Sequence, residues 1–397
     1  MRSDVEKQIY LEPTWKIHVA YKQLMASPPE GYRFVSAEGA GDKLSLAVSR
    51  RQLAPWLLAQ AYSLAPMTLL KAYLDRFLRR PPAGTVLTFS CGHLVFRPEP
   101  WVIELASVTD PIAAHPYYFR RLRGIAEKAF ASRWCRKILC WSEYTRKTMT
   151  DFLDCSQFRD KIEVVPTAVP RAEVTAPLRE DGKARLFFLG SANMVGEFEA
   201  RGGREVVEAF AILRERYPNV ELTIRSEVPP DVKSRIRALP DVRIIEETLP
   251  GDELARLFQS QDIFLFPGHY SAWLAILEAM SHALPVIATD VHSTAEYVID
   301  GETGLLLKGR RPPNGRSNLP VTVFTNQLRK AQRTADPQVV ADLVQKAALL
   351  IEDRELRQRL GRQARQEVER GRFSIERRNS VLQRILDEAT QEEAPQG

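Results

Sequence analysis

Short apolar runs alternate with amphipathic segments through residues 262–307, and this alternation is the clearest pattern in the chain. Residues 263–266, 286–288 and 304–307 form three apolar runs, and residues 273–280 place apolar side chains on one side of a predicted helix. Strand, helix and strand at this spacing predict a parallel sheet with crossover helices. Because ligands of such sheets bind at the carboxyl ends of the strands, we expect a functional site in this segment.

The same pattern continues through the rest of the chain. Further predicted strands are residues 16–20, 32–35, 85–90, 101–105, 138–141, 161–165, 186–189, 221–224 and 242–247. Residues 1–11 are polar and are predicted to be frayed. Residues 166–185 contain three prolines and mixed charge, which is typical of a linker. With 397 residues the chain exceeds one ordinary core, so two domains of similar size are predicted.

The net charge of +6 is unevenly distributed. Residues 71–150 hold 14 lysines and arginines against 6 aspartates and glutamates. Such a field suits an anionic surface or substrate, and a solvated basic helix face explains it equally well. There is no basic stripe with interleaved aromatic residues, so nucleic acid is not predicted as a partner.

An uncharged run extends over residues 52–70. Its length would allow a membrane span, but Pro55 and Pro66 oppose one. Two interpretations stay open: a buried helix broken at Pro66, or shallow docking on a bilayer. The basic residues that follow are Lys71, Arg76, Arg79 and Arg80. They would help such docking through anionic lipid head groups.

The cysteines and the N-terminal residues bear on the compartment. The four cysteines, at positions 91, 135, 140 and 155, form no CxxC pair, so neither a disulfide framework nor a zinc site is predicted. The first ten residues are charged with no apolar core after them, so no signal peptide is predicted. We therefore predict a cytoplasmic protein, with peripheral contact at the inner membrane face as the open alternative.

Two motifs in the second half resemble the donor-binding signature of family 4 glycosyltransferases, which have the two-domain GT-B fold. The first is Leu-Glu-Ala-Met followed by Pro-Val-Ile-Ala-Thr in residues 277–289, with Glu-Tyr-Val at 296–298 and Asp-Gly-x-x-Gly at 300–304. The second is Phe-x-x-Arg-Gly-Gly at 198–203, where the family has lysine in place of Arg201. A glycine-containing loop before a helix N-terminus is a good phosphate cradle.

The resemblance implies an α/β protein of the GT-B fold, in which two Rossmann-like doubly wound domains face each other across a cleft. Residues 1–175 would form the acceptor-side domain and residues 184–373 the nucleotide-sugar domain. Residues 374–389 would form a final helix that returns to the N-terminal domain, and residues 390–397 a disordered tail.

The resemblance also implies which residues bind the donor. Gly190, Arg201, Gly202 and Gly203 would hold the diphosphate, with Arg201 as a bidentate donor in place of a lysine point charge. An exposed arginine in a turn is the alternative. Glu278 matches the second of two family glutamates and would accept hydrogen bonds from both ribose hydroxyls. An N-cap or salt-bridge role is its alternative.

Several positions depart from the family pattern. Tyr270 stands where the first glutamate is expected, with His269 and Ser271 beside it as further donor-binding candidates. Ala283 and His292 stand where glycine is common. These replacements fall near the sugar and the diphosphate, so the identity of the donor sugar stays open.

Candidate catalytic residues are His93, Glu104 and Tyr270. His93 and Glu104 fall near predicted strand ends in the first half, and in the family the equivalent inter-domain face often carries a histidine that contacts the donor sugar or the acceptor. A structural histidine and a surface salt bridge are the respective alternatives.

The implied activity is that of a retaining glycosyltransferase using a UDP- or GDP-sugar and a glycan, lipid-linked or small-molecule acceptor. No Asp-x-Asp stands near the predicted nucleotide site, so neither an essential metal nor a cofactor beyond the nucleotide-sugar co-substrate is predicted. The missing first glutamate keeps a second hypothesis open. It is a weak or inactive relative that acts as a binding or scaffold subunit in polysaccharide assembly.

Overall fold

The computed structural model describes residues 6–13, 18–36, 66–113, 116–173, 181–191, 196–308 and 333–391. These residues form two compact units. The first contains the described residues up to Ala168 and from Ile375 onward, and the second contains those from Val169 to Ser374.

Each unit is built on a six-stranded parallel sheet. The strands of the first sheet are β1 (Lys7–Pro13), β2 (Tyr32–Val35), β3 (Thr85–Cys91), β4 (Trp101–Leu105), β5 (Cys135–Cys140) and β6 (Ile162–Val164), in the order β2-β1-β3-β4-β5-β6. Those of the second are β7 (Ala184–Leu189), β8 (Val220–Arg225), β9 (Val242–Ile245), β10 (Ile263–Phe266), β11 (Val286–Thr289) and β12 (Gly304–Leu307), in the order β12-β11-β10-β7-β8-β9. In the second sheet the winding changes direction between β7 and β10, which is where doubly wound sheets bind ligands.

Helices connect the strands. They are α1 (Val19–Ala26), α2 (Met67–Leu78), α3 (Pro116–Ala131), α4 (Glu143–Phe152), α5 (Glu197–Ala200), α6 (Gly203–Arg216), α7 (Pro230–Ile236), α8 (Gly251–Gln259), α9 (Trp273–Ser281), α10 (Thr294–Tyr297), α11 (Pro337–Glu352), α12 (Arg354–Glu369) and α13 (Ile375–Gln391). The strands of the second unit follow the predicted apolar runs because a parallel sheet covered on both faces buries nearly every side chain.

The start of the chain differs from the prediction. Lys7–Pro13 is a buried strand of the first sheet, not a frayed segment. The predicted strand at 16–20 is wrong, because residues 19 and 20 already belong to helix α1 and residues 14–17 lie outside the described ranges. The polar composition is misleading here because the carboxylate of Glu12 is neutralised by Arg97, which is 85 residues away in the sequence.

The last helix, α13, belongs to the first unit. Its apolar side chains, among them Leu382 and Ile385, join the core that contains Ile9 and Phe89. The helix continues to Gln391, beyond the predicted end at residue 389, and residues 392–397 lie outside the described part.

The uncharged run at 52–70 is described only from Pro66, which is the N-cap residue of α2. Among the helices that the structure describes, none is long and apolar enough to cross a bilayer. All four cysteines are buried free thiols.

Candidate functional site

The glycine pair at the start of α6 holds the helix N-terminus against the segment that follows β10. Gly202 is the N-cap residue with a φ of +82°, and a Cβ there would overlap the backbone carbonyl of Pro267. A Cβ on Gly203 would collide with the ring of Phe198. The close approach therefore requires glycine at both positions, and it places the free amides of α6 at the ligand-binding edge of the sheet.

Arg201 is fixed by three acceptors. Its Nε donates to Oε2 of Glu197 at 2.8 Å and to the hydroxyl of Tyr270 at 3.1 Å, and its Nη1 donates to the carbonyl of Leu189 at 3.2 Å. The Tyr270 hydroxyl in turn donates to Glu197 at 2.6 Å. Burial opposes the charge of Arg201, but Tyr270 and Glu197 raise its pKa, so the guanidinium stays protonated. The side chain is 18% exposed, which does not fit the alternative of an exposed arginine in a turn.

Glu278 lies on α9 with a partly buried carboxylate. Burial raises its pKa to about 7, and the positive charge of Arg225 acts in the opposite direction. Glu278 is the sixth residue of its helix, so it is not an N-cap. No described residue forms an ion pair or a side-chain hydrogen bond with it, so the salt-bridge alternative is not what the structure shows.

Arg225 ends β8 and connects these groups electrostatically. Burial lowers the pKa of Arg225, the nearby charge of Arg201 lowers it further, and Glu278 raises it. Three charged groups from three elements of the second unit therefore act on one region, at the carboxyl edge of its sheet.

The other predicted donor-binding residues lie along the same edge. Gly190 follows β7, and its N–H donates to the carbonyl of Arg225 at 2.9 Å. The backbone N–H of His269 donates to the carbonyl of Ala200 at 2.9 Å, which ties the turn after β10 to the glycine-containing loop. The hydroxyl of Ser271 is buried and has no hydrogen-bond partner in the described part of the chain.

His93 lies in a buried network of the first unit. Its Nε2 is 3.0 Å from Glu12, its Nδ1 is 3.2 Å from the hydroxyl of Ser90, and the residue is 1% exposed. Burial opposes ionisation of Glu12, but the hydrogen bonds of His93 and Arg97 hold its pKa at about 2. These contacts are those of the structural alternative for His93.

Glu12, Asp75 and His93 offer three ligand atoms within 4.8 Å of one another. Arg97 pairs with Glu12, and Lys71 pairs with Asp75. Because these cations use the oxygens that a metal ion would need, the cluster is better described as a charge-compensated structural network.

Glu104 lies on β4 and is partly buried. Burial raises its pKa to about 7, opposed by the polar groups of Trp141 and Tyr21. Within the described ranges Glu104 forms no salt bridge, so the surface ion-pair alternative is not observed. Glu104 belongs to the first unit, whereas Arg201, Arg225 and Glu278 belong to the second.

The two departures from glycine carry backbone strain. Ala283 has a φ of +59° and His292 a φ of +51°, in the left-handed region that favours glycine. Glycine would adopt this conformation without strain at either position. His292 lies between β11 and α10 at the carboxyl edge of the second sheet, whereas Ala283 lies in the turn between α9 and the start of β11, at the opposite edge.

Sequence analysis missed two residues of this arrangement, Glu197 and Arg225. Glu197 stands four residues before Arg201, the spacing at which helical side chains pair, so a signal was present. Arg225 is a charged residue at the end of β8, a strand in which apolar and polar residues alternate. A charged residue at the ligand-binding end of a parallel strand was the signal for it.

Two doubly wound parallel sheets define the class of this protein. The structure of a glycosyltransferase from Rickettsia africae ESF-5 matches with a TM-score of 0.59 at 12% identity, covering 97% of this chain and 99% of that one. Anabaena Alr3699/HepE in complex with UDP and glucose matches with a TM-score of 0.58 at 16% identity, covering 96% and 99%. The chain has the α/β GT-B fold, as predicted.

Sequence comparisons match mainly the second unit. Residues 184–315 match the family model of Glycosyl transferases group 1. The D-inositol 3-phosphate glycosyltransferase of Arthrobacter sp. (strain FB24) is 32% identical over 167 residues, which cover 38% of this chain and 39% of that relative. The sulfoquinovosyl transferase SQD2 of Arabidopsis thaliana is 26% identical over 175 residues, covering 43% and 28%. The match thus spans two fifths or less of these relatives, and residues 184–315 are similar to group 1 glycosyltransferases, in agreement with the resemblance noted from the motifs.

Proposed function

We propose that the protein is a retaining glycosyltransferase that moves a sugar from a UDP- or GDP-sugar to a glycan, lipid-linked or small-molecule acceptor, with no essential metal. The observation that carries this proposal is the convergence of Arg201 and Glu278 on Arg225 at the carboxyl edge of the second sheet. A carboxylate suits the two ribose hydroxyls, and a guanidinium suits a diphosphate. The Anabaena structure with UDP and glucose supports this ligand class.

The chemistry of transfer requires stabilisation of the charge that develops on the departing diphosphate. Arg201 is charged and already held by Glu197 and Tyr270, so it needs little reorganisation when the glycosidic bond breaks. The free amides that follow Gly202 at the start of α6 add neutral donors. Cationic and dipolar groups of the chain would thus take the place of a metal ion.

The sugar end of the site differs from the family pattern. Tyr270 replaces the first glutamate, and its hydroxyl is bonded to Glu197 and Arg201. The buried hydroxyl of Ser271, which has no partner in the described ranges, is available to a ligand. We propose that Ser271 contacts the donor and that Glu197, through Tyr270, supplies negative charge beside the sugar.

The test is a thermal-shift panel of UDP, GDP and their common sugars, followed by a turnover assay with the ligands that bind. A ligand that binds only the folded state raises the melting temperature. Glu278→Ala should abolish both the shift and the turnover, whereas Glu302→Ala, at an exposed turn, should change neither. Absence of binding across the whole panel by the wild-type protein would refute the proposal.

The replacement at Tyr270 also favours a second candidate, a catalytically inactive binding or scaffold subunit. Tyr270 offers a phenol that is already engaged in hydrogen bonds, where the family has a free carboxylate. This candidate predicts nucleotide binding without sugar transfer and a partner that co-purifies with the chain. Robust turnover by the isolated protein would remove it.

We also propose that α2 contacts an anionic membrane. Five large apolar side chains on this helix are exposed: Leu70, Tyr73, Leu74, Phe77 and Leu78. Of the basic residues predicted to help such docking, Lys71 and Arg79 pair with Asp75, whereas Arg76 and Arg80 are exposed. Sedimentation with vesicles that contain phosphatidylglycerol should capture the protein, and Phe77→Asp should release it. Equal binding of both variants would contradict this contact.

A further inference from the structure

Arg225 is the last residue of β8 and lies beside the glycine-containing loop. Its carbonyl accepts the N–H of Gly190 at 2.9 Å, and the neighbouring Ser226 fills the space that a Cβ on Gly190 would need. The backbone of Arg225 is thus locked to the end of β7. Its side chain starts at the sheet edge where a doubly wound fold binds ligands.

The guanidinium of Arg225 is buried without a contact partner. The residue is 9% exposed, its Nε has no hydrogen-bond acceptor, and no described side chain forms an ion pair with it. The other two arginines with similar burial are satisfied: Arg97 pairs with Glu12, and Arg378 donates to the carbonyl of Ser27. Burial of an unpaired cation is costly, so a fold that keeps one normally has an anion to place beside it.

The charged groups around Arg225 do not supply an anion that pairs with it. Arg201 repels Arg225, and the carboxylate nearest to Arg201, that of Glu197, is already engaged with Arg201 and Tyr270. Glu278 attracts Arg225 but lies beyond ion-pair distance. Two guanidinium groups that interact with each other, with Glu278 as the one carboxylate acting on Arg225, form a site for a ligand with at least two negative charges.

We infer that Arg225 binds the diphosphate of the nucleotide donor together with Arg201. This inference rests on the proposed glycosyltransferase function and adds a residue to its donor site. Because a guanidinium forms two parallel hydrogen bonds to a phosphate, Arg225→Lys should be a poor replacement.

The experiment measures affinities of purified wild type, Arg225→Gln and Arg225→Lys for UDP, GDP and the matching nucleosides by calorimetry and ligand-observed NMR. Loss of charged hydrogen bonds to phosphate should weaken nucleoside diphosphate binding by about 10- to 100-fold. Nucleoside affinity should stay unchanged, because the nucleoside has no phosphate. Arg243→Gln, at an exposed position on the adjacent strand β9, is the matched control and should change neither.

The outcomes separate the possible failures. If Arg225→Gln weakens diphosphate and nucleoside to the same extent, Arg225 acts only by positioning Glu278 and the inference is overturned. If the wild type binds UDP or GDP and Arg225→Gln binds it equally well, the inference is also overturned while the proposed function stands. If the wild type binds no nucleoside diphosphate, both fall together.

The melting temperature of the ligand-free protein distinguishes a ligand-binding role of Arg225 from a structural one, because the two roles predict changes of opposite sign in Arg225→Gln. Arg225→Gln removes an unpaired buried charge, so the ligand-free protein should melt at the same or a higher temperature than the wild type. A clear decrease would show that Arg225 serves the fold and would contradict the inference.

Discussion

At the carboxyl end of the first sheet, Glu12 lies between His93 and Arg97, and its pKa falls to about 2. At the same end of the second sheet, Glu278 has no contact partner among the described residues, and its pKa rises to about 7. The two carboxylates sit on similar scaffolds and are both removed from solvent. They differ in whether the chain itself supplies the opposite charge.

This difference separates groups that serve the fold from groups that await a ligand. Buried charges that satisfy each other hold distant parts of the chain together, as Glu12 does with Arg97. Charges left unsatisfied at a strand end reduce stability, and a protein retains them where a ligand completes them. Each prediction below tests one side of this comparison.

The largest expected effect is that of Glu12→Gln. Removal of Glu12 leaves the buried Arg97 with Glu99 as its remaining carboxylate, which should lower the free energy of unfolding by about 3 kcal/mol at pH 7. The pKa of Glu12 lies below that of the unfolded chain, so its contribution is full above pH 4.5 and is lost as the pH falls toward 2. Chemical denaturation at pH 7 and pH 3 measures both effects.

Asp151→Asn is the matched control for Glu12→Gln. It breaks the exposed pair with Lys147 in the same unit and should cost less than about 1 kcal/mol. If both substitutions had the same small effect, the network around Glu12 would not hold the first unit together, and the contrast between the two sheets would lose its structural side.

Glu278→Gln should raise the free energy of unfolding, whereas Glu12→Gln lowers it. The pKa of Glu278 is raised, so between about pH 4.5 and pH 7 the folded state keeps a proton that the unfolded state releases, and stability falls as the pH rises. Glutamine removes this penalty, so the variant should be more stable than the wild type by about 2–3 kcal/mol at pH 8 and equally stable at pH 4. Chemical denaturation of both proteins at pH 8 and at pH 4 measures this difference in stability. A variant less stable at pH 8 would mean that Glu278 has an internal partner after all.

The pH dependence of donor binding gives the next effect. If the ionised form of Glu278 accepts the ribose hydroxyls, affinity for UDP or GDP should rise about tenfold from pH 6 to pH 8, following its pKa of about 7. The phosphates of the ligand titrate in the same way with Glu278→Gln, so this variant is the reference. Its affinity should lack the tenfold rise that comes from ionisation of Glu278. Parallel profiles for the two proteins, measured by calorimetry, would argue against contact between Glu278 and the ligand.

The same contrast explains how much the sequence could predict. The strands of the second sheet were predicted, and Glu278 was selected as a candidate, because apolar runs and a motif at fixed spacing are local signals. Strand β1 was missed because the partner that neutralises Glu12, Arg97, is far away in the sequence. The engagement of Tyr270 by Glu197 joins residues 73 positions apart, so no local pattern could reveal it.

The smallest expected effect concerns backbone strain. In the first unit the described residues with positive φ are all glycines, whereas the second unit has Asp241, Ala283 and His292 in this conformation. Ala283→Gly should therefore raise the free energy of unfolding by about 0.5–1 kcal/mol, since relief of left-handed strain exceeds the added entropy of the unfolded chain. Ala275→Gly, inside helix α9, should lower it by about 1 kcal/mol.

Because Ala283 directly follows the helix that holds Glu278, donor affinity should be measured in both variants. A gain in stability with unchanged affinity would show that the strain at Ala283 is incidental, whereas a gain with reduced affinity would mean that the strained turn helps to orient Glu278.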